Sequence, residues 1–195
     1  MKKRYAALIF CAIGLLLGSV TSEAKKKPSV TAESAIVMDV QSGAILYEKN
    51  IDKREYPASI TKVMTALVAI ENSSLSETVT YSRNAVTNLE SGASNIEIQP
   101  GEKLSMEDSL YAILLMSANE ACNGVAEHVA GSIDNFVAMM NQKAKELGCT
   151  HTHFANASGL PDENHYSSAH DLAKIMRACL RNKRFRQVMK CSNYK

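Results

Sequence analysis

The sequence lacks a marked excess of charge, and it contains no internal repeat and no low-complexity tract. Its 195 residues include 22 lysines and arginines against 20 aspartates and glutamates, for a formal net charge of +2. Such a balance excludes the basic surface typical of a nucleic-acid-binding domain. The missing repeats exclude a solenoid or a fibrous array, and a chain of this length can bury one sizeable core. The composition therefore predicts one globular domain.

The first 24 residues are typical of a secretory signal peptide. Met1 is followed by three basic residues, residues 6–20 are almost wholly apolar or small, and Ala24 ends a short polar stretch. The apolar run of about 15 residues is shorter than the ~20 that a membrane-spanning helix needs. We predict cleavage after Ala24, which leaves a domain over residues 25–195 that is exported to the cell wall or to the outer face of the cytoplasmic membrane. An uncleaved anchor is the alternative, and it too places the domain outside the cytoplasm.

The paired ligand spacings of common metal sites are also missing. Neither His-Glu-x-x-His nor Cys-x-x-Cys occurs, so we predict no metal site and no cofactor. Apart from Cys11 in the predicted signal peptide, the cysteines are the widely spaced Cys122, Cys149, Cys179 and Cys191. Some of these lie in predicted helices beside apolar residues, which favours buried free thiols. Disulfides are the alternative, because they form readily in exported proteins.

The remaining sequence predicts an α+β domain. Residues 35–40 and 44–47 are rich in β-branched and aromatic residues, with Gln41, Ser42 and Gly43 between them, which predicts a β-hairpin. After Pro57 the apolar residues follow helical spacing and predict a helix with one buried stripe that begins close to Ser59. Residues 71–103 are polar and irregular. One hairpin beside many helices favours helices packed on a sheet.

Further helices are predicted downstream from their capping residues. Ser105 and Asp108 can cap a helix reciprocally, and its apolar residues on nearly every side predict that it is buried. Helices are also predicted over residues 119–130, 133–147 and 168–180, the second closed by Gly148. The small residues, Gly and Pro of residues 154–161 predict a loop.

The first candidate for chemistry is the pair Ser59 and Lys62. A serine hydroxyl needs a base to remove its proton, and residues three apart on a helix share a face. Lys62 would have to be neutral, so its pKa would have to fall below the usual value near 10.4. Ser-x-x-Lys also occurs at residues 22–25 and 192–195, but only Ser59 follows a proline and opens a strongly periodic helix. The alternative is a helix N-cap and a solvated lysine.

The second candidate is Ser117-Ala118-Asn119. Ser-x-Asn also occurs at Ser82-Arg83-Asn84 in a polar stretch, whereas Ser117 and Asn119 follow the most apolar helix. Polar side chains at such a place must find partners or line a site. A pair of capping residues at a helix end is the alternative.

These segments resemble a known family. Residues 57–65 (PASITKVMT) resemble the nucleophile segment of D-alanyl-D-alanine carboxypeptidases of the low-molecular-weight penicillin-binding proteins. Residues 111–121 (YAILLMSANEA) resemble their second motif, and residues 154–160 (FANASGL) and 166–173 (YSSAHDLA) are similar to their downstream stretch. The likeness covers most of the predicted mature chain, with the motifs in matching order. It implies a β-lactamase/transpeptidase-like α+β fold, a helical cluster packed on an antiparallel sheet.

The resemblance also implies roles for the candidate residues. Ser59 would attack the terminal D-Ala-D-Ala bond of a peptidoglycan stem peptide, and Lys62 would take its proton. Ser117 would pass a proton to the departing D-alanine, and Asn119 would hold the substrate backbone. β-Lactam antibiotics would acylate Ser59 by the same chemistry.

The third motif of the family, Lys-Thr-Gly or Lys-Ser-Gly, occurs nowhere in the 195 residues. In the family it lies on a core strand and contributes to the oxyanion hole. We therefore expect a chain that stops before its last strands, and before any tail that would associate it with the membrane.

Two other functions remain open at this point. A β-lactamase would share the fold, but the resemblance there calls for Ser-Asp-Asn and a Glu-x-x-Leu-Asn segment, and the sequence has neither. A non-catalytic cell-wall interaction protein of the same fold could dispense with the third motif.

Overall fold

The structure is a computed structural model that describes residues 28–87, 89, 92–191 and 194. Residues Ala32–Lys195 form one compact unit, and of the other unit, Met1–Thr31, only residues 28–31 are described. The predicted signal peptide thus lies outside the described residues. Within the described part of the chain, no helix is both long and apolar enough to cross a bilayer.

The predicted hairpin is present. Strands β1 (Ala35–Met38) and β2 (Ile45–Lys49) pair antiparallel, with Ala35 opposite Lys49. The turn between them is closed by a hydrogen bond from the Gly43 amide to the Asp39 carbonyl, and Gly43 has the positive φ of 80° that glycine adopts readily. Helix α6 (Ala169–Arg181) holds the turn because the Arg177 guanidinium donates to the Val40 carbonyl.

Five helices lie close to their predicted positions, and two short helices were not predicted. The bounds of the helices are α1 Lys62–Asn72, α2 Arg83–Thr87, α3 Met106–Leu115, α4 Asn119–Ala130, α5 Ile133–Glu146, α6 Ala169–Arg181 and α7 Lys183–Met189. Ser105 and Asp108 form the predicted reciprocal cap of α3, and the Ser168 hydroxyl caps α6. Helices α2 and α7 had no counterpart among the predictions.

The polar stretch of residues 71–103 is more ordered than predicted. Strand β3 (Thr78–Thr80) pairs antiparallel with β4 (Lys103–Ser105) in a second two-stranded sheet. The five-residue helix α2 lies between the two strands in the sequence. The prediction of a single hairpin was therefore wrong. Three-residue strands are too short to show the alternation that marks a strand in sequence.

Helix α1 forms the centre of the core. It contacts α3, α4, α5, α6 and α7, and its residues from Met64 to Ile70 are all buried. The prediction of one buried stripe was wrong for this reason, since a helix surrounded by others buries its whole circumference. Two polar residues of α1, Lys62 and Thr65, are buried with it.

Candidate active site

Ser59 lies in a tight turn in front of α1. Residues Ala58–Thr61 form a 3₁₀ turn that leads directly into the helix, so Ser59 precedes the α-helix instead of opening it. Ser59 is exposed, and among the described residues its hydroxyl makes no hydrogen bond. No side chain caps this turn or α1. The N-cap alternative for Ser59 is therefore wrong, and the hydroxyl points to no structural partner.

The backbone beside Ser59 is held by a close contact. Ala58 has a φ of 47°, in the left-handed region that disfavours residues with a Cβ atom. Gly159 packs so closely on it that a Cβ at Gly159 would lie 1.9 Å from the Ala58 carbonyl oxygen. Gly159 itself has a φ of 87°. Only glycine fits here, and the loop that carries it presses the turn of Ser59 into place.

Lys62 is buried one turn after Ser59. The residue is 3% exposed, and its ammonium donates to the Ser158 carbonyl at 2.7 Å. Burial lowers the pKa of Lys62, while interactions with Cys122 and Glu120 oppose this shift. The alternative of a solvated lysine is wrong. A lowered pKa brings the neutral amine, which can accept a proton, closer to physiological pH.

The acceptor for Lys62 belongs to the loop predicted at residues 154–161. This loop is built around Asn156, whose side-chain oxygen accepts from the amides of Gly159 at 2.7 Å and Leu160 at 3.1 Å. The Thr65 hydroxyl donates to the Ala157 carbonyl at 2.6 Å and ties the loop to α1. Sequence reasoning placed the loop but missed that it supplies the acceptor for Lys62. An Asn followed closely by Ser and Gly is the local signal of such a turn, although it does not show what the turn contacts.

Ser117 and Asn119 lie where α3 passes into α4. Ser117 is half-buried with a φ of 57°, and Ala118 is the N-cap residue of α4, without a side-chain cap. Asn119 is 5% exposed, and its backbone N–H donates to the Ser94 carbonyl at 2.9 Å. The Oδ1 atom of Asn119 is buried and has no hydrogen-bond partner among the described residues. Because neither side chain caps α4, the capping alternative is wrong, and Asn119 keeps a buried acceptor whose missing partner needs an explanation.

The other occurrences of the two short motifs have ordinary explanations or fall outside the described residues. The Ser82 hydroxyl accepts from the Ala85 amide at 3.0 Å in the first turn of α2, and the Asn84 side chain donates to Glu127. Ser22, Ser192 and Lys195 are outside the described residues. Of the two Ser-x-Asn copies, the second alone keeps a buried acceptor without a partner in the described part of the chain.

The candidate residues lie on two segments, the turn into α1 and the passage from α3 to α4, whose helices pack against each other. Ser59 and Lys62 share the turn into α1, and α1 packs on α4, which Asn119 begins. Lys62 also interacts electrostatically with Glu120, in the first turn of α4. A cavity of about 630 Å³ borders the Ser59 turn, lined by Tyr56, Ala58, Gly159, Leu160, Pro161, Asp162, Glu163 and His165. The described residues contain no cluster of three or more potential metal ligands.

Comparison with known proteins gives a consistent result. The family model described as D-alanyl-D-alanine carboxypeptidase matches residues 21–195. The chain is 36% identical over 190 residues to D-alanyl-D-alanine carboxypeptidase DacF of Bacillus subtilis, covering 92% of this chain and 48% of DacF. It is 38% identical to DacA of Escherichia coli K12, covering 80% of this chain and 40% of DacA.

The fold is shared with solved structures of penicillin-binding proteins. The structure of penicillin binding protein 6B from Escherichia coli matches with a TM-score of 0.83 and 30% identity, covering 89% of this chain and 57% of that one. The predicted β-lactamase/transpeptidase-like fold class is therefore confirmed. The chain spans about half the length of the curated relatives it matches.

Proposed function

The chain belongs to the D-alanyl-D-alanine carboxypeptidase family, and on this premise we propose that the protein is a serine-type carboxypeptidase that removes the terminal D-alanine of peptidoglycan stem peptides. The observation that carries the proposal is a buried lysine of lowered pKa one turn after an exposed serine whose hydroxyl makes no hydrogen bond in the described structure. A base and a nucleophile in this relation are the minimal requirement for covalent catalysis by serine.

In the proposed reaction, neutral Lys62 removes the proton of the Ser59 hydroxyl as its oxygen attacks the carbonyl of the D-Ala-D-Ala bond. The C–N bond then breaks, Ser117 passes a proton to the amine of the departing D-alanine, and the stem peptide remains as an ester on Ser59. Water hydrolyses this ester and regenerates the hydroxyl. Asn119 hydrogen-bonds the substrate backbone, a role supported by its buried acceptor without a partner in the described structure. β-Lactams acylate Ser59 by the first step alone.

Labelling with a fluorescent penicillin tests the proposal on the protein expressed from its native reading frame. We expect the wild type to label and Ser59→Ala to lose labelling, because the acylated oxygen is gone. Ser82→Ala is the matched control, since Ser82 lies in the other Ser-x-Asn copy and only caps α2. Equal labelling of the Ser59→Ala variant would refute the nucleophile assignment. A wild type that binds stem peptides without labelling or hydrolysis would favour the non-catalytic cell-wall protein instead.

We also propose that the protein is exported and acts at the cell wall or at the outer face of the cytoplasmic membrane. The support is the charged and apolar pattern of residues 1–24, which lie outside the described residues. Mass spectrometry of the protein from its native host is expected to find an N-terminus near residue 25. A mature protein that still begins at Met1 would favour the uncleaved anchor.

A further inference from the structure

The imidazole of His165 joins the Ser59 turn to the loop that holds Lys62. The residue is 2% exposed. Its Nε2 atom lies 2.7 Å from the Thr61 hydroxyl, and its Nδ1 atom accepts from the Ala155 amide at 3.1 Å. A backbone amide can only donate, so Nδ1 carries no proton and the neutral ring carries its proton on Nε2. The Nε2–H group therefore donates to the Thr61 hydroxyl.

Both partners of this ring belong to the surroundings of Ser59. Thr61 ends the 3₁₀ turn that contains Ser59, and it is followed directly by Lys62. Ala155 lies in the loop that presents the Ser158 carbonyl to the Lys62 ammonium. A single neutral ring thus connects the segment that carries the nucleophile and base to the segment that fixes the base.

We propose that His165 is a positioning residue of the active site, which holds the Ser59 turn against the loop as its neutral Nε2–H tautomer and releases it when Nδ1 is protonated. Acylation of Ser59 is then switched off at mildly acidic pH by a residue that touches neither the substrate nor the reacting atoms. The inference rests on the proposed acylation of Ser59.

Protonation is disruptive because of what faces the ring. A proton on Nδ1 would point at the Ala155 N–H group, so two donors would oppose each other at a buried site. The charged and titratable groups that act on the ring are Asp162 and His153, and Glu163 and Tyr56 line the same cavity as His165. Lys62 and Arg54 contact the neighbouring residues Ser158 and Tyr166. Asp162 favours the charged ring and His153 opposes it, while burial is the largest influence and lowers the pKa of His165. The stabilisation by the neutral ring is present above about pH 6.5 and is lost as the pH falls through the lowered pKa.

The pH dependence of penicillin acylation tests the proposal between about pH 5 and pH 8 on the protein from its native reading frame. Below the pKa of His165, we expect the wild-type acylation rate to depend on the loss of one further proton. A plot of the logarithm of this rate against pH should therefore become steeper there, in addition to any dependence that Lys62 imposes. His165→Gln can still donate to Thr61, His165→Asn can still accept from Ala155, and neither titrates, so both should lose the added steepening. His128→Gln, at the surface of α4, is the control that should keep it. Unchanged steepening in both His165 variants would overturn the proposal.

A second measurement does not depend on acylation or on the folding of a variant. Nitrogen NMR of the wild-type imidazoles should show His165 as the neutral Nε2–H tautomer at pH 7.5. The protection factor of the Ala155 amide, which corrects for the intrinsic pH dependence of exchange, should fall as the ring is protonated. A ring found as the Nδ1–H tautomer at this pH would end the inference but leave the proposed function intact. Penicillin labelling of the Ser59→Ala variant would refute the proposed nucleophile, but it would not change the tautomer found by NMR. The failure of the proposed function and the failure of this inference are therefore distinguishable.

Discussion

Lys62 shows at the scale of the residue how the site departs from the rules of a stable core. Lysines are almost never fully buried unless they are paired, and the hydrogen bond of Lys62 goes to a neutral carbonyl. The sequence was enough to predict that Lys62 lies one helical turn from Ser59, because the two residues are only three positions apart in the chain. Its burial was not predictable, because the residues that interact with it, Glu120, Cys122 and Ser158, lie far along the chain.

The substitution Lys62→Met separates the two roles of this side chain. We expect penicillin labelling to fall by at least about 100-fold, the usual contribution of a general base. The free energy of unfolding should change by no more than about 1 kcal/mol, because an apolar chain of similar length replaces a charge that burial disfavours. Urea unfolding and the labelling rate measure the two effects, and Lys145→Met on the exposed face of α5 is the control for both.

A loss of stability well above this value, together with the loss of labelling, would mean that Lys62 is a structural residue. Labelling of the wild type should also rise with pH, since the neutral amine is the base and its pKa lies below the usual lysine value. The Lys62→Met protein should lack that rise.

At the scale of the element, the sequence predicted those helix starts that neighbouring residues in the chain determine. The start of α3 was predictable because Ser105 and Asp108 cap it from within the same turn, and the start of α6 because Ser168 does the same. The strands β3 and β4 were not predictable, since each gains its partner from about 25 residues away and is too short to alternate. Likewise the loop around Asn156 was recognisable as a loop, whereas its contact with the Ser59 turn depends on the packing of the whole domain.

This contact predicts a large effect for Gly159→Ala. The new Cβ would meet the Ala58 carbonyl oxygen at 1.9 Å, so the turn of Ser59 or the loop must move. We expect a loss of at least about 3 kcal/mol in the free energy of unfolding and a marked loss of penicillin labelling in the protein that remains folded.

Gly131→Ala is the matched control for this prediction. Gly131 has a similar φ of 76°, but a Cβ there would meet nothing within 4 Å. Its substitution should cost only the backbone strain of about 1–2 kcal/mol and should leave the labelling rate unchanged. Equal effects of the two substitutions on stability and labelling would show that the contact between Gly159 and Ala58 has no part in holding the turn.

At the scale of the whole molecule, the site exists only because the core assembles around α1. The turn into α1, the first turn of α4 and the loop near Gly159 are separated by tens of residues, and each reaches the site through packing on that helix. The order of the motifs was enough to indicate the family, which the comparisons confirm. The electrostatic interaction of Lys62 with Glu120 and the hydrogen bond between His165 and Thr61 could be known only from the fold.

The same core predicts how the cysteines react. Cys122, Cys149 and Cys179 are buried as expected, and burial raises the pKa of each thiol to about 12. At pH 8 only about one in 10,000 of such thiols is the reactive thiolate, and the buried sulfur atoms are also shielded from reagent. They lie in α4, after α5 and in α6, so exposing all three requires the core to open.

In the mature Cys191→Ser protein, we expect Ellman's reagent to label three thiols in one slow phase that follows global unfolding in urea, measured in parallel by circular dichroism. A thiol that reacts quickly in the native state would contradict the packing of its helix, and fewer than three thiols after denaturation without reductant would reveal a disulfide.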